Sequence, residues 1–502
     1  METLRGLQVL VLGLGSSGLA MARWCQRAGA VVTVADTRSD PPQLRALQET
    51  LPDAVFVHAS LDAALVQGAA FRAVLVSPGL APAQTQPLVD AAQAMGLWVG
   101  GELGLFAQAL VELQQSRNYA PKVLAITGTN GKTTVTALTG HLIDWSGKRV
   151  AVAGNIGPTL LDTLAQALEH DALPEVWVLE LSSFQLHLAG QFEPSAAAVL
   201  NITQDHLDWH GSMAHYAQSK ARIFGSRALM LLNRDDPAVM ALLPAPVKGK
   251  VARDYLSFGC AMPERAGDFG MEEVNGMVWL VRALEADETQ KKRRNAVQEE
   301  IFFQRLMPAD ALRIRGRHNA ANALAALALS AAAGCALGPM LFGLREYRGE
   351  PHRVQSIAVV NDVEYFDDSK GTNVGATVAA LQGLGEDRRI VLILGGVGKE
   401  QDFAPLAPVV QRYARAVLLI GRDAALIREA LAPAGVPLLD ATSMADAVTQ
   451  ASARAHAGDA VLMSPACASF DMFDNYEHRA RVFCEAVQEL ALDAGMAVES
   501  VA

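Results

Sequence analysis

The chain has 502 residues, enough for about three domains at roughly 150 residues each. Its 51% apolar content supplies several cores and excludes a disordered chain. With 42 Lys and Arg against 53 Asp and Glu, the net charge of −11 argues against a nucleic-acid binder, and five scattered cysteines without a C-x-x-C pair predict reduced thiols in a cytoplasm.

The first segment, 1–110, enters an apolar strand at Val9–Leu12 without a signal-peptide layout. Gly13-Leu14-Gly15-Ser16-Ser17-Gly18 follows and opens a helix that runs through Ala28. Val31–Ala35 is the next strand, ending at Asp36. A G-x-G-x-x-G turn with an acidic residue about twenty positions on is a dinucleotide fingerprint. The same geometry serves any nucleotide diphosphate, because the loop grips pyrophosphate. Asp36, Thr37 and Arg38 then lie where a base or ribose would sit. Val74–Val76 is a further strand, and Ser77-Pro78-Gly79 turns after it. This βα repeat predicts a small doubly wound domain.

The second segment, 111–349, begins in a polar stretch, Leu110 to Lys122, that reads as a linker. The strand Val123–Thr127 then runs into Gly128-Thr129-Asn130-Gly131-Lys132-Thr133-Thr134, and Val135–Trp145 reads as a helix. Strand, glycine loop and helix form a phosphate-binding loop, although Ile126 stands where the full pattern has its first glycine. Lys132 would reach the outer phosphates and the Thr133 hydroxyl would ligate Mg²⁺. Asn155 follows a short strand. Glu180 ends the strand Val176–Glu180, either as an Mg²⁺ ligand or in solvent. Ala196–Leu200 leads into Asn201-Ile202-Thr203-Gln204-Asp205-His206-Leu207-Asp208, where His206 and the carboxylates suit a metal ligand and a base. Lys220, taken alone, is a helix lysine. Ala261 to Gln304, with Lys291-Lys292-Arg293-Arg294, reads as a solvated loop or hairpin. Asn319 and Asn322 share one helix face that suits a base edge, with N-capping the alternative for Asn319. The uncharged run Ala323–Leu344 is long enough to span a membrane, but its glycines and Pro339 predict a buried helix, a turn and a second helix.

The third segment, 350–502, starts at the break Glu350-Pro351-His352-Arg353. Strands are predicted up to Phe366 and at Ile390–Leu394, Val417–Ile420 and Val461–Ser464. Lysines and hydroxyls occupy the strand ends: Asp368, Lys370 and Thr372, then Lys399, then Ser469. In an open α/β sheet those ends line the ligand crevice, so the expected ligand is anionic. Cys467 reads as a structural thiol.

In this order the motifs G-T-N-G-K-T-T, L-E-L-S-S-F-Q-L, N-I-T-Q-D-H-L-D, G-R-H-N-A-A-N-A, P-H-R, D-D-S-K-G-T-N, L-G-G-V-G-K and S-P-A-C-A-S-F-D-M-F resemble the Mur ligases along nearly the whole chain. The last segment is similar to the D-glutamate-adding branch. The resemblance implies an α/β fold in three domains: Rossmann-like sheets at both ends flanking a central P-loop ATPase domain. It implies that Gly15, Ser16, Ser17, Asp36, Thr37, Arg38, Ser77, Gly79 and Asn155 bind UDP-N-acetylmuramoyl-L-alanine, which replaces the dinucleotide reading. Gly128 to Thr134, Asn319, Asn322, Arg353 and Asp368 would bind ATP. Two Mg²⁺ ions would be held by Thr133, Glu180, His206 and Lys220, the last as a carbamate; Lys132, His206 and Lys220 would be catalytic. His206, Lys370, Thr372, Lys399, Ser469 and the backbone near Tyr476 would hold D-glutamate. The implied protein is a cytoplasmic monomer that forms an acyl phosphate and then an amide. Two alternatives stay open: a sister amide ligase such as folylpolyglutamate synthase, and a nucleotide-sensing protein that takes NAD in its first domain.

Overall fold

Continuous apolar runs become buried parallel strands, because a strand covered by helices on both faces needs no polar side. The computed structural model describes residues 2–245, 253–285, 301–386 and 388–496. Its first sheet contains β1 (Gln8–Leu12), β2 (Val31–Asp36), β3 (Val55–His58), β4 (Phe71–Val76) and β5 (Trp98–Gly100) in the order β3-β2-β1-β4-β5. All four pairings are parallel. The order reverses beside β1, and the switch point there faces the first glycine turn.

The second sheet is also parallel. It contains β6 (Lys122–Thr127), β7 (Val150–Gly154), β8 (Val176–Glu180), β9 (Ala196–Val199), β10 (Leu229–Asn233) and β11 (Tyr255–Phe258) in the order β11-β10-β9-β6-β8-β7. The strand that feeds the phosphate loop, β6, is therefore central, between β8 and β9. A small antiparallel sheet follows, made of β12 (Phe269–Val274), β13 (Met277–Glu285) and β14 (Ile301–Pro308). The expectation of a hairpin within 261–304 holds for these strands, while Lys291-Lys292-Arg293-Arg294 lie outside the described residues.

The third large sheet contains β15 (Gln355–Val360), β16 (Val363–Asp367), β17 (Ile390–Gly395), β18 (Ala414–Ile420), β19 (Leu438–Asp440) and β20 (Ala460–Met463) in the order β15-β16-β20-β17-β18-β19. It is parallel except for the edge pair of β15 with β16. The chain is thus α/β in three domains, as expected.

Two readings need correction. The stretch Leu110–Lys122 is not a linker: its first half completes the helix Glu102–Arg117, which ends at Asn118 in the left-handed conformation. The polar residues Gln114–Arg117 are the exposed last turn of that helix, whose buried side is Leu105, Phe106, Ala109 and Leu113. Asn319 does not cap its helix either. Gly316 is the cap of Arg317–Ala332, and the Asn319 amide donates back to the Arg315 carbonyl at 2.8 Å. The alanine-rich run forms that helix and a second one, Leu337–Glu346, and no helix among the described residues is long and apolar enough to cross a membrane.

The first two domains meet at Glu102, a buried carboxylate. One of its oxygens accepts the Leu161 N–H at 3.2 Å, in the first turn of the central-domain helix Leu160–Glu169. The other has no hydrogen-bond partner. Burial pushes its pKa up from 4.5 to about 7. The native state therefore binds a proton that the unfolded chain has already released, so stability falls as pH rises from 4.5 through 7. Glu102→Gln removes this penalty. Chemical denaturation should find the variant more stable than the native chain at pH 8, by on the order of 3 kcal/mol, and little changed at pH 4.5; an equal difference at the two pH values would refute the assignment.

Candidate active site

The loop Gly128–Gly131 joins β6 to the helix Lys132–Trp145. Gly131 caps that helix at a φ of 81°, where a side chain would be strained. The turn after β9 holds the loop from outside. Thr129 N–H donates to the Asn201 carbonyl at 3.0 Å, Asn130 N–H donates to Asn201 Oδ1 at 2.8 Å, and the Thr129 hydroxyl donates to the Thr203 carbonyl at 3.1 Å. The Tyr216 hydroxyl lies 3.1 Å from that of Thr129. Asn201 and Tyr216 were not singled out from the sequence, since nothing local marks them as loop supports.

Two lysine amines meet on this loop. Lys132 Nζ donates to the carbonyls of Gly128 and Thr129 at 2.8 and 2.7 Å, and Lys220 Nζ donates to the same Gly128 oxygen at 2.9 Å. Lys220 is 1% exposed, and its amine stands 4.5 Å from the centre of the Tyr216 ring. Burial, and next the charge of Lys132, hold its pKa well below the ordinary 10.5. Burial also lowers Lys132, against the pull of Glu180. A sequence signal for Lys220 existed: with Tyr216 and Ser219 it falls on the buried side of the helix Met213–Ala221.

Glu180 ends β8 and is 1% exposed, which removes the solvent reading. Its Oε1 accepts the Asn155 amide at 2.8 Å, and its Oε2 is buried without a partner. His206 has a positive φ of 54° and packs edge-on against Phe184 with ring centres 4.8 Å apart. Burial lowers its pKa; Asp205, 3.6 Å from Nε2, opposes this, and Lys399 of the third domain adds to it. His210 is turned away, 2.9 Å from the Ser183 hydroxyl, and burial pushes it down to about 4.

The third domain closes onto this loop. Arg353 Nη2 donates to the Thr133 hydroxyl at 2.6 Å. The amides of Asn130 and Asn373 exchange hydrogen bonds at 3.3 and 3.0 Å. Asp368 accepts the Ser464 hydroxyl at 2.6 Å, and burial pushes its pKa up to about 7. Asn319 and Asn322, 3.2 Å apart through their amides, join Thr134, Arg353, Asp368 and Lys370 around a cavity of about 120 Å³. Lys370 Nζ sits 3.6 Å from the centre of the Tyr476 ring, and the Tyr476 carbonyl accepts the Ser369 hydroxyl at 2.8 Å. Thr372 N–H donates to the Lys370 carbonyl at 2.9 Å. Ser469 is buried and Lys399 exposed. Cys467 is buried, with its thiol pushed up to about 12, as a structural thiol requires.

Arg479 escaped the sequence reading. It is 1% exposed on the last helix and donates to the Ser369 hydroxyl, the Ser369 carbonyl and the Cys467 carbonyl at 3.0, 2.8 and 3.0 Å. It thereby ties the loop bearing Lys370 to the loop bearing Ser469. An arginine on a long helix carries no local sign of this.

The first glycine turn forms a second centre. Gly15 caps the helix that Ser16 and Ser17 begin. Asp36 accepts the Leu14 N–H at 2.7 Å, the Arg38 N–H at 2.9 Å and the Arg38 guanidinium at 2.8 and 2.9 Å. The Arg38 bonds hold its carboxyl down at about 2. Asp36 therefore fixes both the glycine loop and Arg38. The Thr37 carbonyl lies 3.1 Å from His58 Nε2. The Ser77 hydroxyl donates to the Gly13 carbonyl at 2.8 Å, and Gly79 lies in the turn that closes from Leu80 to Ser77. Asn155, bound to Glu180, belongs to the central cluster by contact rather than to this one.

Known proteins share this plan. Three family models match in chain order: the N-terminal domain of MurD-like Mur ligases at 7–101, the Mur ligase middle domain at 126–330, and the Mur ligase glutamate ligase domain at 352–467. The chain is 67% identical over 506 residues to a UDP-N-acetylmuramoylalanine–D-glutamate ligase of Albidiferax ferrireducens, covering 100% of both proteins. It is 56% identical to the protein of the same name from a Polaromonas species, over 99% of this chain and 100% of that one. Among solved structures, MurF ligase from Thermotoga maritima in complex with ADP has the same fold, with a TM-score of 0.57 at 16% identity over 97% of this chain and 96% of that one. With all three domain models matched in sequence and full-length relatives well above half identical, the chain belongs to the Mur ligase family.

Proposed function

We propose that the chain is an ATP-dependent ligase that joins D-glutamate to UDP-N-acetylmuramoyl-L-alanine in the synthesis of peptidoglycan precursors. The observation that carries the activity is 67% identity, end to end, with a relative of that name. The two alternatives left open by the sequence, a different amide ligase and a nucleotide sensor, give way to it.

The reaction runs in two steps. The terminal carboxylate of the UDP substrate attacks the γ-phosphorus of ATP and ADP leaves, giving an acyl phosphate. The amine of D-glutamate then attacks the acyl carbon, and the tetrahedral intermediate expels phosphate as the amide forms. Activation is needed because a carboxylate is a poor acyl donor. The residues suit these roles. Lys132 and the N–H groups of the Gly128–Gly131 loop would cradle the phosphates, and Arg353, from the third domain, would complete the cationic wall. Asn319, Asn322 and Asp368 would hold the rest of ATP. The first glycine turn, with Ser16, Ser17, Thr37, Arg38, Ser77 and Gly79, would hold the uridine diphosphate, and Asn155 its sugar end. Lys370, Thr372, Lys399, Ser469, His206 and the backbone at Tyr476 would hold D-glutamate.

The residues also fit divalent cations. Glu180 Oε2, at the end of β8, is buried without a donor, and the Thr133 hydroxyl lies in the first turn of the helix after the phosphate loop. Among the described residues no three of His, Cys, Asp and Glu converge as ligands. Any Mg²⁺ would therefore rely on Thr133, Glu180, His206, substrate oxygens and Lys220 as its carbamate. When bound, Mg²⁺ supplies charge neutralisation on the transferring phosphoryl group. The depressed pKa of Lys220 favours carbamate formation, since only a neutral amine adds CO₂; the N–C bond forms as one proton leaves.

Phosphate release with ATP, UDP-N-acetylmuramoyl-L-alanine and a panel of amino acids tests the assignment. Turnover should require all three substrates and select D-glutamate. Phosphate release indifferent to either co-substrate, or selection of another amino acid, would reject it. Lys399→Ala should raise the KM for D-glutamate on the order of 10–100-fold, the worth of one charge-assisted hydrogen bond, with the KM for ATP within about twofold. Lys220→Ala should lower kcat at least about 100-fold, as expected when transition-state charge stabilisation is lost. Equilibrium ATP binding should persist in that variant, and near-native turnover would count against the carbamate.

A further inference from the structure

The turn after β18, Gly421-Arg422-Asp423, contacts two of the loops assigned above to D-glutamate, although none of its residues belongs to that set. Asp423 precedes the helix Ala424–Leu431 in the N-cap position, yet its side chain makes no capping bond. Instead its Oδ2 crosses to the loop after β17 and accepts the Gly398 N–H at 2.7 Å, next to Lys399. Asp423 N–H donates in return to the Gly396 carbonyl at 3.1 Å. Two backbone groups just before Lys399, the Gly396 carbonyl and the Gly398 N–H, are thus pinned by one residue. The turn needs pinning, because Lys399 and Glu400 both have positive φ, 52° and 59°, which side chains rarely adopt.

The same turn reaches the other loop. Arg422 N–H donates to Asp471 Oδ2 at 2.7 Å, two residues beyond Ser469. Val397 and Ala468 pair through backbone bonds of 2.8 and 2.9 Å, so the two loops are already joined at their bases. Gly421 lets the three segments approach: a Cβ there would stand 2.4 Å from Asp471 Oδ2 and 2.9 Å from the Gly396 Cα. The Arg422 guanidinium closes on Asp423 at 3.0 and 3.1 Å, which keeps the carboxylate ionised and its pKa low.

We propose that Gly421-Arg422-Asp423 is the positioning element of the amino-acid subsite, with Asp423 fixing the loop that carries Lys399 and the Arg422 N–H fixing, through Asp471, the loop that carries Ser469. The inference rests on the reading of that cleft as the D-glutamate subsite. Asp423 acts through Lys399 and does not touch the amino acid, so its loss misplaces a charge without removing it.

Steady-state kinetics of Asp423→Ala, Asp423→Asn and Asp471→Ala test this, with thermal unfolding as a check on folding. Asp423→Ala should raise the KM for D-glutamate about tenfold, with the KM values for ATP and the UDP substrate within twofold. Asp423→Asn keeps an acceptor for the Gly398 N–H and should recover most of the loss. Asp471→Ala, in an exposed loop, should also raise the D-glutamate KM, and it decides the matter alone if Asp423→Ala does not fold. A D-glutamate KM within twofold of native in either folded alanine variant overturns the proposal, as does an equal rise in all three KM values or an Asp423→Asn no better than alanine. Lys399→Ala, measured beside them, separates the two claims. If it leaves the D-glutamate KM unchanged, the subsite reading itself fails; if it alone raises that KM, only the positioning role fails.

Discussion

Two lysine amines donate to one carbonyl oxygen, that of Gly128, inside a site with few anions to balance them. Two ammonium groups cannot share so small a buried volume without a cost of several kcal/mol, so one of the pair must give up its charge or reverse it. The pressure falls harder on Lys220, which is the more enclosed and has Lys132 next to it, so its pKa is held well below the ordinary value. Lys132 keeps Glu180 as a counter-charge. Glu180 Oε2 is buried without a donor in the same cluster, so a basic oxygen and an amine disfavoured as a cation lie beside the phosphate loop.

The parts of this site legible in the sequence are those whose chemistry is local. A phosphate loop is specified by glycine, lysine and threonine in seven consecutive residues, and the strand before it by apolar content alone. The ends of β16, β17 and β20 were recognisable because lysines and hydroxyls follow buried runs. What was not legible depends on partners distant in sequence. Arg479 looks like any helical arginine until the loops at Ser369 and Cys467 fold over it. Asp423 looks like an N-cap, and only the approach of Gly398 shows that it serves another loop. The helix through Arg117 was misread because its polar last turn outweighed the 3,4-spaced run Phe106, Ala109, Leu113.

Burial of polar groups divides the clusters at the two glycine loops by strategy. At the first turn the critical carboxylate, Asp36, has donors on both oxygens and stays ionised, so the loop arrives preformed. At the second, the polar groups are less well satisfied: Lys220 is disfavoured as a cation and one of the two Glu180 oxygens lacks a donor. A preformed site suits a ligand that must be held unchanged through the reaction. An under-satisfied one suits a ligand whose charge is redistributed, because its groups gain most when new charge appears beside them.

The third domain has a task that neither of the others can perform, and its topology explains how. Its parallel sheet brings the ends of β16, β17 and β20 to one edge, and that edge faces the phosphate loop through Arg353 and Asn373. The hydrogen bonds there are polar side-chain contacts: Arg353 to the Thr133 hydroxyl, the Asn130–Asn373 amide pair, and the Asn373 amide to Asp205 at 3.4 Å. Beside them the helix Val374–Gly385 packs on the helix Arg317–Ala332, where Gly316 and Gly383 allow a close approach. Within the domain, Arg479 and the turn at Asp423 tie the loops bearing Lys370, Lys399 and Ser469 to one another. Where Arg353 and Asn373 meet the phosphate-loop region, the segments bearing Lys370, Lys399 and Ser469 are therefore held in register with it and with one another.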